Sequence, residues 1–200
     1  MIEKIIFLIE EYSMEVTLTE LLPKVITDID FEIIRFQCKD DLLKQLQGRL
    51  RAYASWIPDN WRIVVLVDRD DDNCIRLKQQ LENISAQAGL VSKTAAAPNA
   101  PFKIVNRIAI EELEAWFFGD WQAVKAAYPK VSVDIPKRAG FRDPDAIKGG
   151  TWEAMERVLK GVGYFKTGLR KAEFAREVSA KMDPQLNTSK SFQVFLEALV

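Results

Sequence analysis

Two aspartates that follow a strand-like run are the residues best placed to do chemistry. Ile63 to Val67 is an unbroken aliphatic run, too short for a helix and typical of a strand buried on both faces of a parallel sheet. Asp68 and Asp70 follow it two positions apart, so their side chains can point the same way and hold a divalent cation. We interpret Asp71 and Asp72 instead as acids that cap the next helix and complement its dipole.

Ionisable residues also follow the other predicted strands. These residues are Glu10 and Glu11 after the first strand, Lys39 after the second, and Glu111, Glu112 and Glu114 after the fourth. Parallel strands end at one edge of a sheet, where open α/β sheets bind ligands, so we expect these side chains to converge. Crowded carboxylates repel one another, and a hard cation relieves that repulsion. Oxygen ligands without histidine or cysteine favour Mg²⁺ or Mn²⁺ over zinc.

The elements that would position these residues alternate between strand and helix. The predicted strands are Lys4 to Ile9, Phe31 to Phe36, Arg62 to Val67 and Phe102 to Ile110. The predicted helices run from Ser13 to Leu22 with Pro23 beyond the end, from Asp40 or Asp41, from Asn73 to Ala88, and from Glu111. The connections are long enough for crossovers, which predicts an α/β fold with a mainly parallel four-stranded sheet flanked by helices.

The pattern changes after Tyr128. Residues 129 to 150 have little periodicity and contain three prolines and three glycines, which predicts a loop-rich connection. Three further helices are predicted at Trp152 to Leu159, Leu169 to Met182 and Ser191 to Leu199. We therefore divide the chain into an α/β domain, residues 1–128, and a connection with a C-terminal helical cap packed on it, residues 129–200.

Composition excludes several classes of site. The chain has 200 residues, 48% of them apolar and 28% charged, as expected for a soluble globular protein. It has no histidine, which excludes histidine-dependent nucleophiles and histidine-ligated zinc. Cys38 and Cys74 lack metal-ligand spacing, and no signal peptide pattern opens the sequence, so we expect reduced thiols in a cytoplasmic protein. No apolar run approaches the roughly 20 residues of a membrane span, so we expect no membrane partner.

Charge is unevenly distributed along the chain. The net charge is −1, but the segment from Lys130 to Lys181 has 12 basic and 7 acidic residues. Within it, Lys166, Arg170 and Lys171 are candidate nucleic-acid contacts, since basic side chains beside aromatic rings bind a phosphate backbone and its bases. An amphipathic helix with an exposed basic face is the alternative interpretation.

Two acidic motifs carry a resemblance to a known fold. Leu8 to Glu15 and Val67 to Asp70 resemble the motifs of the Toprim domain, which topoisomerases, bacterial primases and overcoming-lysogenization-defect nucleases share. In that domain a glutamate follows the first strand and Asp-x-Asp follows a later one. The whole chain more closely resembles the uncharacterised bacterial Toprim-like family called domain of unknown function 4276. The matching parts also include Gln37 to Lys39, Asp68 to Cys74 and Arg107 to Trp116.

The resemblance implies phosphodiester hydrolysis by two metal ions. Glu10, Asp68 and Asp70 would hold one Mg²⁺, and Glu112 or Glu114 would help to place a second. Lys39 would offset charge on the transition-state phosphate. Many relatives have glycine where Glu11 stands, so the metal ligand could be Glu10 alone or Glu10 together with Glu11.

The expected activity is therefore that of a Mg²⁺-dependent nuclease, or a related phosphoryl-transfer enzyme, acting on DNA or RNA. The resemblance also implies an ATPase partner in antiphage defence. A non-catalytic, Toprim-like binding or regulatory subunit is the main alternative. A receiver-like phosphoacceptor is a third, but it requires a lysine on a fifth strand, which the sequence lacks.

Overall fold

The computed structural model describes residues 1–199 and contains a four-stranded sheet. Its strands are β1 (Lys4–Ile9), β2 (Asp30–Arg35), β3 (Trp61–Asp68) and β4 (Ile104–Ala109), in the order β2-β1-β3-β4. β1 pairs in parallel with both neighbours, and Ile9 is opposite Arg35 and Leu66. Ile63 N donates to Lys103 O, and Arg69 N donates to Ala109 O. Residue numbers therefore rise together along β3 and β4, as in a parallel pair.

Eight α-helices accompany the strands within residues 1–199. They are α1 (Tyr12–Val25), α2 (Lys39–Ala54), α3 (Cys74–Gln87), α4 (Glu114–Gly119), α5 (Trp121–Ala127), α6 (Thr151–Gly161), α7 (Lys171–Ser179) and α8 (Lys190–Leu196). Two short 3-10 helices, Ile135–Lys137 and Pro144–Ala146, lie in the connection before α6. This parallel sheet with flanking and C-terminal helices fits the predicted Toprim-like α/β fold class, which is confirmed at this level.

The two central strands owe their position to their apolar sequences. Successive residues of β1 and β3 point to opposite faces of the sheet, and nearly all of them are buried, so both faces are covered. In contrast, β2 alternates exposed charged residues such as Asp30 and Glu32 with half-buried apolar ones, as an edge strand does. The expectation that Ile63 to Val67 forms a central strand is correct.

Helices α2 and α3 cover one face of the sheet. Leu42, Leu46 and Leu50 recur every four residues along α2 and are fully buried. Leu77 and Leu81 do the same on α3, and both sets pack in one cluster with side chains of β1 and β3. Complete burial of a leucine side chain contributes about 1.5–3 kcal/mol, so this cluster fixes the strands that end near the acidic residues.

The chain forms two compact units that are interleaved along the sequence. The first comprises Met1–Glu11, Thr27–Val67 and Asp72–Ile108, and the second comprises Tyr12–Ile26, Asp68–Asp71 and Ala109–Val200. The first therefore holds most of the sheet with α2 and α3, and the second holds α1 and α4 to α8. The proposed division of residues 1–128 from residues 129–200 stays a prediction.

Aromatic side chains hold the second unit together. Trp116 is fully buried, lies 5.0 Å from Phe195 between ring centroids, and donates from Nε1 to Ser191 Oγ at 3.1 Å. Phe117 packs edge-on against Phe174 of α7, with ring centroids 5.2 Å apart. Trp116 therefore serves core packing.

Three local predictions at helix termini are wrong. Pro23 lies inside α1. Proline has no N–H to donate to the carbonyl of Thr19, one turn earlier, but Thr19 is exposed, so water can take the place of that donor. Glu111 does not open a helix, because its φ is 51° and α4 begins at Glu114. The cap of α3 is Asn73, whose side chain accepts from Arg76 N at 3.1 Å, so Asp71 and Asp72 do not cap that helix.

No helix within residues 1–199 combines the length and the apolar character needed to cross a membrane.

Candidate functional site

The ends of β3 and β4 are joined by backbone hydrogen bonds. Arg69 N donates to Ala109 O at 2.9 Å, and Asp70 N donates to Glu111 O at 2.8 Å. Asp68, the last residue of β3, is only 4% exposed. These bonds fix Asp70 and Glu111 beside each other at two neighbouring strand ends.

Asp70 and Glu111 share an unusual backbone conformation. Their φ angles are 50° and 51°, in the left-handed region that residues other than glycine seldom adopt. Each such residue costs of order 1–2 kcal/mol, and here the hydrogen bond between the two backbones helps to hold both. Backbone strain of this kind concentrates at ligand sites.

A cavity of about 470 Å³ opens beside these strand ends, entirely within the second compact unit. We call it the acidic cavity, because five carboxylates line it: Asp70, Asp71, Glu111, Glu112 and Glu153. Gly149, Gly150 and Trp152 complete the lining. The predicted site residues Asp70 and Glu112 are thus brought together, with Asp71 and Glu111 beside them.

Glu111 and Glu112 have protein partners in this cavity. Glu111 Oε1 lies 2.5 Å from Arg69 Nη2 in an ion pair. Glu112 Oε2 accepts from Thr151 N and Oγ1, both at 2.9 Å, and from Trp152 N at 3.0 Å. Glu112 therefore satisfies the first backbone N–H groups of α6 and complements its dipole, which is a structural role.

Glu153 is the acid of this cavity that sequence reasoning missed. It lies in the first turn of α6, and its Oε2 is buried with no hydrogen-bond partner among the described residues. Its carboxylate occupies the space that a side chain at Gly150 would fill. The sequence signal was present, since a Gly-Gly pair precedes the helix and leaves its first turn open to close approach.

Two further predicted residues of this unit are buried acids. Asp68 ends β3, and Glu114, the first residue of α4, is only 1% exposed. Removing a carboxylate from water costs free energy unless hydrogen bonds or an opposite charge compensate it. The groups around Asp68 and Glu114 must therefore supply that compensation.

Carboxylate oxygens without thiol or imidazole neighbours are the donor chemistry that Mg²⁺ and Mn²⁺ prefer. Among residues 1–199, no three aspartate, glutamate or cysteine side chains are arranged to hold a metal ion as they stand. Mg²⁺ does not require such a cage, because it usually keeps several waters and binds through one or two carboxylates plus substrate phosphates. The acidic cavity fits that mode of binding.

Three predicted site residues belong to the first compact unit. Glu10 and Glu11 directly follow β1, and Glu10 is 5% exposed. Lys39 is the first residue of α2, and its Nζ lies 2.7 Å from Asp72 Oδ2. The Lys39 ammonium is therefore already paired, and Asp72 serves this ion pair rather than a helix cap.

The predicted nucleic-acid contacts lie at the start of α7 and just before it. Arg170 Nη2 lies 2.9 Å from Glu173 Oε1, and its guanidinium is 5.4 Å from the centre of the Phe165 ring. Lys171 Nζ is 5.2 Å from the Trp152 ring, and Lys166 is exposed. Two of these three cations therefore have partners within the protein.

Comparison with known protein families gives a match over residues 9–200 to the family described as a domain of unknown function, DUF4276. Comparison with curated proteins and with solved structures gives no match. Because the matched region covers nearly the whole chain, this protein belongs to the DUF4276 family.

Proposed function

We propose that the chain is a Mg²⁺- or Mn²⁺-dependent phosphodiesterase of Toprim type that cleaves nucleic acid. The observation that carries this proposal is the acidic cavity, where five carboxylates surround two strand ends with left-handed backbones. Arg69 pairs with Glu111 and offsets part of the negative charge of the acidic cavity. A divalent cation would reduce the repulsion among the carboxylates.

Asp70 is the metal ligand that the geometry favours most, because its strained backbone holds it at the cavity wall. Asp68 precedes it at the end of β3, and Glu10 is included on the strength of the Toprim resemblance. Arg69 would keep Glu111 in place while the ion binds. When bound, the metal would lower the pKa of a bound water and stabilise the leaving oxygen.

A cleavage assay tests the proposal. Purified full-length protein is incubated with single- and double-stranded DNA and RNA in Mg²⁺, Mn²⁺ or EDTA. We expect cleavage only with metal, and a loss of at least about 100-fold in Asp68→Asn, Asp70→Asn and Glu10→Gln, since each removes a charge from the metal site. Glu177→Gln, an exposed acid of α7, is the matched control and should cleave like the wild type. Equal residual cleavage by all variants would point to a contaminating nuclease.

A non-catalytic, Toprim-like regulatory subunit is the second candidate. The observation in its favour is that Glu111, Glu112 and Lys39 already have partners in the protein, as groups with purely structural roles do. Such a subunit would bind nucleic acid or a partner protein with equal affinity in the wild type and Asp68→Asn, and would cleave nothing with any metal.

The resemblance further supports an ATPase partner in antiphage defence, and the free thiols of Cys38 and Cys74 support a cytoplasmic setting. We extend the proposal to that setting. Phage plating tests it on cells that carry this gene alone or together with a candidate ATPase gene: protection should require both genes and should disappear with Asp68→Asn.

A further inference from the structure

We propose that a second cavity of the same compact unit binds the phosphodiester backbone of nucleic acid. This cavity has a volume of about 380 Å³, and three basic side chains line it: Arg142, Lys148 and Arg157. We call it the basic cavity. The inference rests on the proposed function for the identity of its ligand, and it names the surface that would hold that ligand.

Residues 1–199 do not neutralise the charge of the basic cavity. None of its three cations has a carboxylate within ion-pair distance among residues 1–199. Arg142 Nε donates to the backbone carbonyl of Lys137 at 3.0 Å. One acid, Asp143, also lines the cavity, but its Oδ1 accepts from Asp145 N at 3.0 Å. A net positive charge therefore faces the solvent.

The loop that carries the basic cavity is anchored by hydrogen bonds. Asp143 caps the short helix Pro144–Ala146. Asp145 accepts from Ser189 Oγ at 2.7 Å and from Ser191 N at 2.8 Å, which ties the loop to the start of α8. The cations are thus presented on a fixed backbone, which reduces the entropy lost when a ligand binds.

The two cavities are neighbours along the chain. Lys148 lines the basic cavity, and the next two residues, Gly149 and Gly150, line the acidic one. On α6, Glu153 lines the acidic cavity and Arg157, one turn later, lines the basic one. Residues four apart on a helix are surface neighbours, so a phosphate bound by Arg157 and Lys148 would lie beside the carboxylates.

The chemistry of the basic cavity suits a nucleic-acid strand. Lysine and arginine bind backbone phosphates, and arginine can do so through two parallel hydrogen bonds. The half-buried ring of Phe141 also lines the cavity and offers an aromatic surface for a base. The volume of about 380 Å³ lies within the roughly 300–1,000 Å³ of ordinary ligand pockets and accommodates a nucleotide unit.

The test compares two triple variants that remove the same charge. The first triple variant removes the three cations of the basic cavity: Arg142→Gln, Lys148→Gln and Arg157→Gln. The second removes the three cations predicted from the sequence: Lys166→Gln, Arg170→Gln and Lys171→Gln. Binding of fluorescent single-stranded DNA and RNA is measured by anisotropy in EDTA. The strands have about 20 nucleotides, longer than the roughly 4–16 that one small binding domain covers. Circular dichroism melting shows that each variant is folded, and the six single variants replace any triple that is not.

We expect the basic-cavity triple to bind at least 10-fold more weakly than the wild type and the other triple to lose less than 3-fold. The slope of log affinity against log salt should also fall in magnitude by about 2, since each lost phosphate contact on a single strand removes about 0.7. Equal losses in the two triples, or no wild-type binding at low salt, would overturn the inference. The inference would also be overturned if inorganic phosphate displaced the strand at a concentration equal to that of the strand's own phosphate groups, because this would indicate a site for a free anion.

Binding is measured in EDTA, without divalent metal, so the binding result does not depend on the nuclease proposal. If the wild type binds nucleic acid through the basic cavity but no preparation cleaves it with any metal, the inference stands and the nuclease proposal fails. If cleavage depends on Asp68 and Asp70 but both triples bind alike, the nuclease proposal stands and the inference fails.

Discussion

Asp70 shows at the scale of one residue how the proposed function opposes stability. A left-handed backbone favours glycine, yet this chain has an aspartate there and a second strained acid, Glu111, opposite it. Aspartate tolerates this conformation better than most residues, which reduces the cost without removing it. A carboxylate retained in a strained position is the pattern expected of a ligand site.

Substitutions of Asp70 separate strain from chemistry. Asp70→Gly relieves the left-handed strain, so it should be more stable than Asp70→Ala by about 1 kcal/mol. Both variants lack the carboxylate, so both should lose metal-dependent cleavage. Urea denaturation and the cleavage assay measure the two effects independently. Retention of cleavage by either variant would remove Asp70 from the site.

Glu82 provides a residue-scale prediction about pH. Burial opposes its ionisation, but hydrogen bonds from Lys78 Nζ at 2.8 Å, from Ser92 and from Asn106 Nδ2 at 3.1 Å outweigh burial and hold the pKa of Glu82 below its ordinary value. Burial lowers the pKa of Lys78 despite the same ion pair, so we attribute the stabilisation to the hydrogen bonds that Glu82 accepts rather than to the pair alone.

A depressed carboxylate pKa contributes stability above the pKa of the unfolded state, and this stability is lost as pH falls through the folded-state pKa. Glu82→Gln should therefore cost about 1–3 kcal/mol at pH 7 and progressively less below pH about 4. Urea midpoints of wild type and variant across that range measure the difference. A difference that stays constant with pH would show that the carboxylate charge has no part in it.

At the scale of elements, the start of α6 joins structure to the candidate site. Glu112 satisfies its backbone N–H groups, and the Gly149-Gly150 turn before it leaves room for Glu153 at the cavity wall. Both glycines have a φ of 81°, but only a side chain at Gly150 would collide with the Glu153 carboxylate.

Gly149→Ala and Gly150→Ala are therefore a matched pair. Each should lose roughly 1–3 kcal/mol of stability, because alanine at this φ is strained. The carboxylate of Glu153 is the flexible end of a side chain and will move, so only Gly150→Ala should also weaken Mn²⁺ binding, by several-fold. Chemical denaturation and Mn²⁺ titration measure the two effects. Equal weakening in both variants would exclude Glu153 as part of the metal site.

The elements that sequence predicted well are those whose signals are local. The central strands β1 and β3 contain apolar runs bounded by polar residues, and β1 was predicted with the bounds Lys4–Ile9 that the structure has. Glu111 was misjudged because consecutive glutamates are typical of a helix start, whereas its conformation is linked to a hydrogen bond with Asp70, 41 positions earlier in the chain. The basic cavity was missed because the loop before α6 has no periodicity, and tertiary contacts alone define what the loop lines. Glu153 was missed although the Gly149-Gly150 pair before α6 is a sequence signal for close approach at that helix start.

At the scale of the whole molecule, the net charge is only −1, yet acidic side chains line one cavity and basic side chains line another. The acidic cavity and the basic cavity both lie in the second compact unit, and adjacent residues of one loop and one helix line them. A metal-dependent enzyme acting on a phosphate polymer needs an acidic site to bind the metal and a basic site to attract the polymer. Without the basic site, the carboxylates would repel the anionic strand.

The account depends on the acidic cavity binding a divalent cation, and Mn²⁺ titration monitored by the paramagnetic resonance signal of the free ion tests this most directly. The wild type should bind Mn²⁺ saturably, Asp70→Asn should bind at least 10-fold more weakly, and Glu177→Gln should match the wild type. Binding that is absent in the wild type, or unchanged in Asp70→Asn, would contradict the account.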